Sequence, residues 1–256
     1  MKQFSAFLKK ELTEHIRSGR LIISLAIFAA IGIMNPAIAK LTPWIIETFA
    51  DTLAESGMTV TAVTVTALDS WMQFFKNLPI AMIAFVILES GIFTKEYQSG
   101  TLILTLTKGL DRYKVVAVKS AVLFILWTVC YWASFAITYA YNSFFWDNSV
   151  ASNLFLSVIC SWIFGVFIIS LLTLASSLFE FNTGVLVFVG GAVVLSYAIG
   201  FIPTLSDYVP THLLDGTSLI YSKADISSYS HSIIITLALS AVSFVGSIVA
   251  FNKKQL

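Results

Sequence analysis

The sequence predicts an all-α membrane protein: six transmembrane helices, an N-terminal amphipathic helix in the membrane interface, a re-entrant outer segment between helices 5 and 6, and both termini cytoplasmic. Three observations predict it. Hydrophobic residues make up 57% of the 256 and charged residues only 11%, where soluble domains carry about 25%. The apolar residues gather into runs of roughly 17 to 25, the length that crosses a bilayer as helix. Between those runs the basic residues are sorted to alternate sides.

The elements follow in order along a single transmembrane domain covering residues 1–256. In residues 1–20, Phe4, Leu8, Leu12 and Ile16 recur every fourth position with Phe7 beside them, while Lys9, Lys10, Glu14 and Arg17 fall on other faces. That pattern is an amphipathic helix. It serves as an anchor alone, or as an anchor that also touches a cytoplasmic partner. The first span is residues 21–41. Arg17 and Arg20 ahead of it and the small residues Ala37 and Ala39 resemble a secretory signal, but Glu11 and Glu14 and the length of the leading region argue against one.

An outer connection, 42–70, alternates Thr and Val over 59–66 and carries no ligand motif. The second span, 72–94, contains Pro79, a kink, and Glu89. Spans at 116–139, 154–179, 183–202 and 232–251 complete the six. Gly184, Gly190, Gly191 and Gly200 in the fifth, with Ser243, Gly246 and Ser247 in the sixth, suit close helix packing. Cys130 and Cys160 fall inside spans and offer no disulfide framework. The connection 203–230 is punctuated by Pro203 and Pro210 and is apolar through Tyr208, Leu213, Leu214, Leu219, Ile220 and Tyr221. Two structures suit it: short helices dipping back into the outer leaflet, or an interfacial loop with aromatic anchors.

With the N-terminus inside, Lys2, Lys9, Lys10, Arg17, Arg20, Lys95, Lys108, Arg112, Lys114, Lys119, Lys253 and Lys254 are cytoplasmic, and only Lys40, Lys76 and Lys223 lie outside. The net charge of +1 gives no reason to expect a nucleic-acid partner. Catalytic and metal chemistry is also unsupported. His15, His212 and His231 are scattered, and Asp215 three residues after His212 has no companion pair at metal spacing. For His212 a loop histidine that titrates in solvent suits that scatter. Hydrolase motifs are missing, and so is Gly-x-x-x-x-Gly-Lys-Ser/Thr; the dipeptide Gly-Lys never occurs. Glu89 lies six residues before Lys95, roughly 9 Å deeper along a helix. It either faces a polar cavity or partner, or is satisfied by Ser, Thr or a basic neighbour at a helix interface.

What remains is a polar, basic island over residues 96–119. Ser99 is placed to cap a helix of two turns running to Lys108, with Gly109 as its stop. Leu102, Ile103, Leu104 and Leu106 make that helix apolar, yet it is too short to span. Either it seeks a groove on another protein, or it lies on lipid headgroups with Arg112, Lys114 and Lys119 on phosphates.

Glu96-Tyr97-Gln98-Ser99-Gly100-Thr101-Leu102, followed by Thr107, Arg112 and Lys119, resembles the signature of the ABC-2 type permeases. The family usually has Pro after that Thr, where this chain has Lys108. The resemblance extends over nearly the whole chain and implies a membrane-spanning subunit of a bacterial ABC exporter of type V-like build, in the plasma membrane. In that family the loop here numbered 96–114 forms a coupling helix on a separate ATP-binding subunit. ATPase coupling is then expected of Glu96, Ser99, Gly100, Thr101, Leu102, Leu104, Thr107, Lys108 and Arg112. The resemblance implies two copies of that ATP-binding subunit, which hold ATP and Mg, and a second permease copy in a homodimer or a related heterodimer. This chain itself binds no cofactor and no metal, and its remaining partner is membrane lipid.

The short single-domain form resembles export permeases linked to sodium, bacitracin-type antibiotics or amphipathic toxin peptides, and by likeness to the last an amphipathic or hydrophobic substrate is expected. Pathway or gate candidates are Glu89, Tyr208, Pro210, Leu213 and Leu214, the outer segment 203–230 acting as gate. A secondary transporter and a membrane scaffold subunit are the alternatives. The first would need repeated halves and midplane charges, which the sequence lacks apart from Glu89.

Overall fold

The chain begins as a helix, α1 (Lys2–Arg17), and turns at Gly19, whose φ of 74° is the left-handed conformation that glycine tolerates, into α2 (Arg20–Thr48). The computed structural model describes residues 2–49, 64–107 and 109–254, and all regular structure among them is helical. Thr66 and Asp69 form a capping box that starts α3 (Ala67–Glu89), with the Thr66 N–H donating to Asp69 Oδ2 at 2.8 Å. After Ser90 the helix resumes as α4 (Gly91–Ser99), and Gly100 separates it from α5 (Thr101–Thr107). Then come α6 (Arg112–Phe145), α7 (Leu154–Leu178), α8 (Asn182–Gly200), the short α9 (Gly216–Ile220) and α10 (Ile226–Lys253).

Six of these stretches are long and apolar enough to cross a membrane: α2, α3 with α4, α6, α7, α8 and α10. All six expected spans are present. Several run past their expected ends, because hydropathy marks where a helix leaves lipid and not where it stops. The longest is α6, at 34 residues. Within 42–70, residues 50–63 lie outside the described residues, and 42–48 continue α2 through Pro43.

The core forms where α7 packs against α6, α8 and α10, and α2 against α3 and α6. Trp127 of α6 stands at its centre, 5.2 Å from the Tyr131 ring and edge-on to Phe28 and Phe85 at 5.8 and 5.7 Å. Only glycine fits opposite it: a Cβ on Gly165 would lie 2.1 Å from the indole. Gly190 and Gly191 differ from expectation, since a Cβ on either meets nothing within 4 Å inside this protomer.

A second contact compensates for a proline. Pro36 lies inside α2 and lacks an N–H, so the carbonyl of Gly32 has no intrahelical partner. Thr138 Oγ1 of α6 donates to it at 2.9 Å, Asn35 Nδ2 donates to Thr138 Oγ1 at 3.3 Å, and Asn77 Nδ2 donates to Asn35 Oδ1 at 2.9 Å. Thr138→Val therefore orphans a buried carbonyl, and a loss of about 1–3 kcal/mol is expected in unfolding of the detergent-solubilised chain. The same substitution made in a Pro36→Ala background, where the alanine supplies the missing N–H, is expected to lose measurably less.

At the far end, residues 203–230 form 3-10 turns at Ser206–Tyr208 and Pro210–Leu214, followed by α9, packed against α3, α7, α8 and α10. Side chains from the spans satisfy this irregular backbone. Ser161 Oγ donates to Leu213 O at 3.4 Å, Ser232 Oγ to Asp207 O at 2.7 Å, and Tyr229 OH to Asp215 O at 2.7 Å. Gly216 is pressed against Phe75, where a Cβ would sit 2.4 Å from the ring.

Candidate functional site: a short exposed turn on a buried charge junction

The end of the bundle that holds α1, the α4–α5 turn and the end of α10 concentrates the charged side chains. Along α1 the inward ridge is Phe7, Glu11 and His15, at successive four-residue steps, and all three are buried. Phe4, Leu8 and Leu12 pack beside it, whereas Ile16 is 53% exposed. The expected apolar stripe is thus rotated, and its centre is polar. The polar residues have partners there.

Lys119, near the start of α6 and 1% exposed, is the hub. Its Nζ lies 2.9 Å from Glu11 Oε2 and 3.1 Å from Glu96 Oε2, and it donates to the carbonyl of Ile92 at 3.0 Å. Lys10 closes the cluster from the surface, 3.0 Å from Glu11 Oε1 and 3.3 Å from both Glu96 Oε1 and Glu14 Oε2. Burial alone would raise the Glu11 carboxyl, but Lys119 and then Lys10 hold it below the ordinary glutamate range. Burial likewise opposes the Lys10 charge, and Glu11, Glu96 and Glu14 outweigh it, raising that ammonium. Glu11, Glu14 and Glu96 stand close enough together to hold a cation; Lys10 Nζ already contacts all three.

His15 is 4% exposed on α1. Its Nε2 lies 3.0 Å from Oε2 of Glu89, which is wholly buried at the end of α3. Glu89 therefore meets a basic neighbour on α1.

The expected coupling residues divide around this junction. Glu96 points inward, and so does Leu102, 1% exposed in the protein's own core; neither presents its side chain to an outside groove. Ser99 ends α4 instead of capping the next helix: Gly100, at φ 69°, is the left-handed stop, and Ser99 Oγ lies 2.8 Å from Thr101 Oγ1. Among the described side chains of α4 and α5, the exposed ones are Lys95, Gln98, Ser99, Thr101 and Thr107. Leu104 lies in α5 with its side chain outside the described residues, and Lys108 is outside them altogether.

Arg112 turns back toward the C-terminus. Its Nη1 donates to the carbonyls of Phe251, Asn252 and Lys254 at 3.2, 3.3 and 2.5 Å. Phe251 packs between Phe93 and Tyr97, with ring centroids at 5.9 and 6.4 Å, and Lys254 Nζ stands 4.1 Å over the Tyr97 ring. The end of α10 is thereby fastened to α4.

Of the gate candidates, Pro210 and Leu213 are buried, and Tyr208 is exposed with its ring 5.3 Å from that of His231. Leu214 lines an open, almost wholly apolar groove of about 460 Å³ between α3, α7 and α8, together with Pro79, Met82, Phe164, Val189 and Tyr197. Glu89 is not among its lining residues. Lys10, Glu11 and His15 are the residues sequence reasoning missed as members of the site. The spacing of Glu11 and His15 with Phe7 on one helix face is the available signal.

Residues 5–256 match the family model described as ABC-2 family transporter protein. No curated protein matches the chain.

Proposed function

Because the chain belongs to the ABC-2 transporter family and carries six helices fit to cross a membrane, it is a multi-pass permease subunit, and we propose that it works in an ATP-driven exporter whose ATPase docks on the α4–α5 turn. The observation that carries this reading is the turn's construction. It exposes Gln98, Ser99, Thr101 and Thr107, while Glu96, Leu102 and Arg112 tie it to α1, the core and α10. A surface held on several sides transmits a push without yielding to it. The chain has no nucleotide loop of its own.

ATP and Mg then belong to the partner, and two permeases with two ATP-binding subunits form the working assembly, with the basic end in the bacterial cytoplasm. The apolar groove of about 460 Å³ favours an amphipathic or hydrophobic substrate, of which toxin or antimicrobial peptides are one class. Leu214 links that groove to the packed outer segment, which suits 203–230 to gating.

Gly100→Val tests the docking surface. A Cβ there meets nothing within 4 Å, so the substitution strains only the left-handed turn, by roughly 1–2 kcal/mol. Co-purification from native membranes is expected to recover a subunit carrying the Gly-x-x-x-x-Gly-Lys-Ser/Thr loop, and Gly100→Val to weaken its capture about tenfold with the permease still folded. Undiminished capture by the variant, or no such subunit with the parent chain, overturns the assignment.

A further inference from the structure

The contact between His15 and Glu89 has a defined proton content. Nδ1 of His15 lies 3.1 Å from the backbone carbonyl of Glu11. A carbonyl only accepts, so Nδ1 carries a hydrogen. The other ring nitrogen then meets Glu89 Oε2 at 3.0 Å, and that contact is a hydrogen bond only if one proton lies between them. Imidazolium with carboxylate and imidazole with carboxylic acid are two forms of the same one-proton pair. Without the proton the ring keeps a single N–H, and one of the two contacts is lost: either a lone pair on Nε2 faces the Glu89 carboxylate, or the hydrogen moves to Nε2 and a lone pair on Nδ1 faces the Glu11 carbonyl.

The surroundings leave no substitute. Glu89 Oε1 is buried and has no hydrogen-bond partner. Lys10 and Lys119 are matched by Glu11 and Glu96, and Glu14 faces solvent at the edge. Lys95 of α4 is exposed, Arg17 is exposed and Arg20 half-buried at the α1–α2 turn, and Cys130 of α6 lies within reach of the Glu89 charge. With one proton in the pair, the charges of Lys10, Glu11, Glu96, Lys119, His15 and Glu89 sum to zero, Lys10 contributing from the half-exposed edge.

We propose that His15 and Glu89 form a one-proton latch, which fastens α1 to the end of α3 while the proton is held and releases α1 when it leaves. Release would loosen Lys10 and Glu11 from Glu96 and Lys119, and with them the support beneath the α4–α5 turn. Only that consequence rests on the turn being the ATPase docking surface. The latch itself belongs to this chain alone.

Backbone hydrogen exchange of α1 in the purified chain in lipid nanodiscs, corrected for intrinsic rates, tests it in a scan from about pH 5 to about pH 8, the range in which an ordinary histidine changes charge. Protection of α1 is expected to fall about tenfold or more across that range, with α7 unchanged. Glu89→Gln keeps the contact without the proton, because its amide N–H donates to Nε2; protection is expected to persist at every pH. His15→Gln, donating to the Glu89 carboxylate, is expected to do the same, and His15→Ala to leave α1 exchanging fast throughout. A flat profile in the parent chain overturns the latch. So does a parent-like fall in either Gln variant, or fast exchange at all pH in both. None of these outcomes involves an ATP-binding subunit, so failure here is distinct from failure of the docking assignment.

Discussion

Lys119→Met is expected to destabilise the permease by roughly 3–5 kcal/mol, because it leaves Glu11 and Glu96 facing one another across a buried site with their shared counter-ion gone. Lys119 is held at 2.9 and 3.1 Å by these two carboxylates and donates to the Ile92 carbonyl. Methionine fills the space and satisfies none of them. Lys10 cannot replace it, since it approaches the opposite oxygen of each carboxylate from the surface. The proposed export activity is expected to disappear with the junction.

The pH dependence identifies the cause. In the parent chain the Glu11 carboxyl is held below its ordinary range, so its contribution is complete above the unfolded value of about 4.3 and is lost as pH falls through the folded one. In Lys119→Met the two buried carboxylates are left with only the half-exposed Lys10 between them, which favours protonation of one, and the sign reverses. Thermal unfolding in detergent at about pH 7 and about pH 5 should show the variant gaining stability in acid relative to the parent, since the His15–Glu89 pair is common to both chains and cancels in the difference. Adding Glu11→Gln and Glu96→Gln to Lys119→Met should restore most of the stability at neutral pH. A variant that is equally unstable at both pH values, with no restoration by the neutral triple, would refer the damage to packing instead of charge.

The spans are legible in the sequence because lipid imposes a crude rule: each must be apolar over its whole crossing length, and composition alone displays that. The α4–α5 turn is legible because Gly100 and Gly109 interrupt a helix where only glycine adopts a positive φ readily, and both do, at 69° and 85°. The junction behind the turn is not. A surface helix is read by its apolar stripe, which sets Phe4, Leu8, Leu12 and Ile16 inward and passes over the ridge Phe7–Glu11–His15 because two of its members are polar. Those polar residues are buried only because Glu89, Glu96 and Lys119 arrive from α3, α4 and α6 to meet them. Pairing across 74 to 108 positions of sequence leaves no local pattern. Leu102 is the converse case: an apolar residue in a polar loop reads as a contact for another protein, yet it folds into its own core.

Arg112→Glu is expected to destabilise the end of α10 by roughly 2–3 kcal/mol, a value already reduced for the residue's partial exposure. The guanidinium donates to the carbonyls of Phe251, Asn252 and Lys254, groups that the last turn of a helix leaves without partners. A carboxylate there forfeits those bonds and opposes the negative end of the helix dipole. Fraying would draw Phe251 away from Phe93 and Tyr97, so the α4–α5 turn would lose its lateral support while its exposed face kept its residues. ATPase capture should therefore persist, and transport per ATP hydrolysed should fall about tenfold or more.

Arg112→Lys, retaining charge but not the planar fork, should lie between parent and Glu variant. The decisive comparison is a chain ending at Ala250, which keeps Arg112 and removes the residues that supply all three of its acceptors. If Arg112 acts through α10, truncation reproduces the Arg112→Glu defect. If instead Arg112→Glu abolishes ATPase capture while the truncated chain transports normally, Arg112 belongs to the docking surface itself, and α10 has no part in carrying the ATPase's motion to the spans.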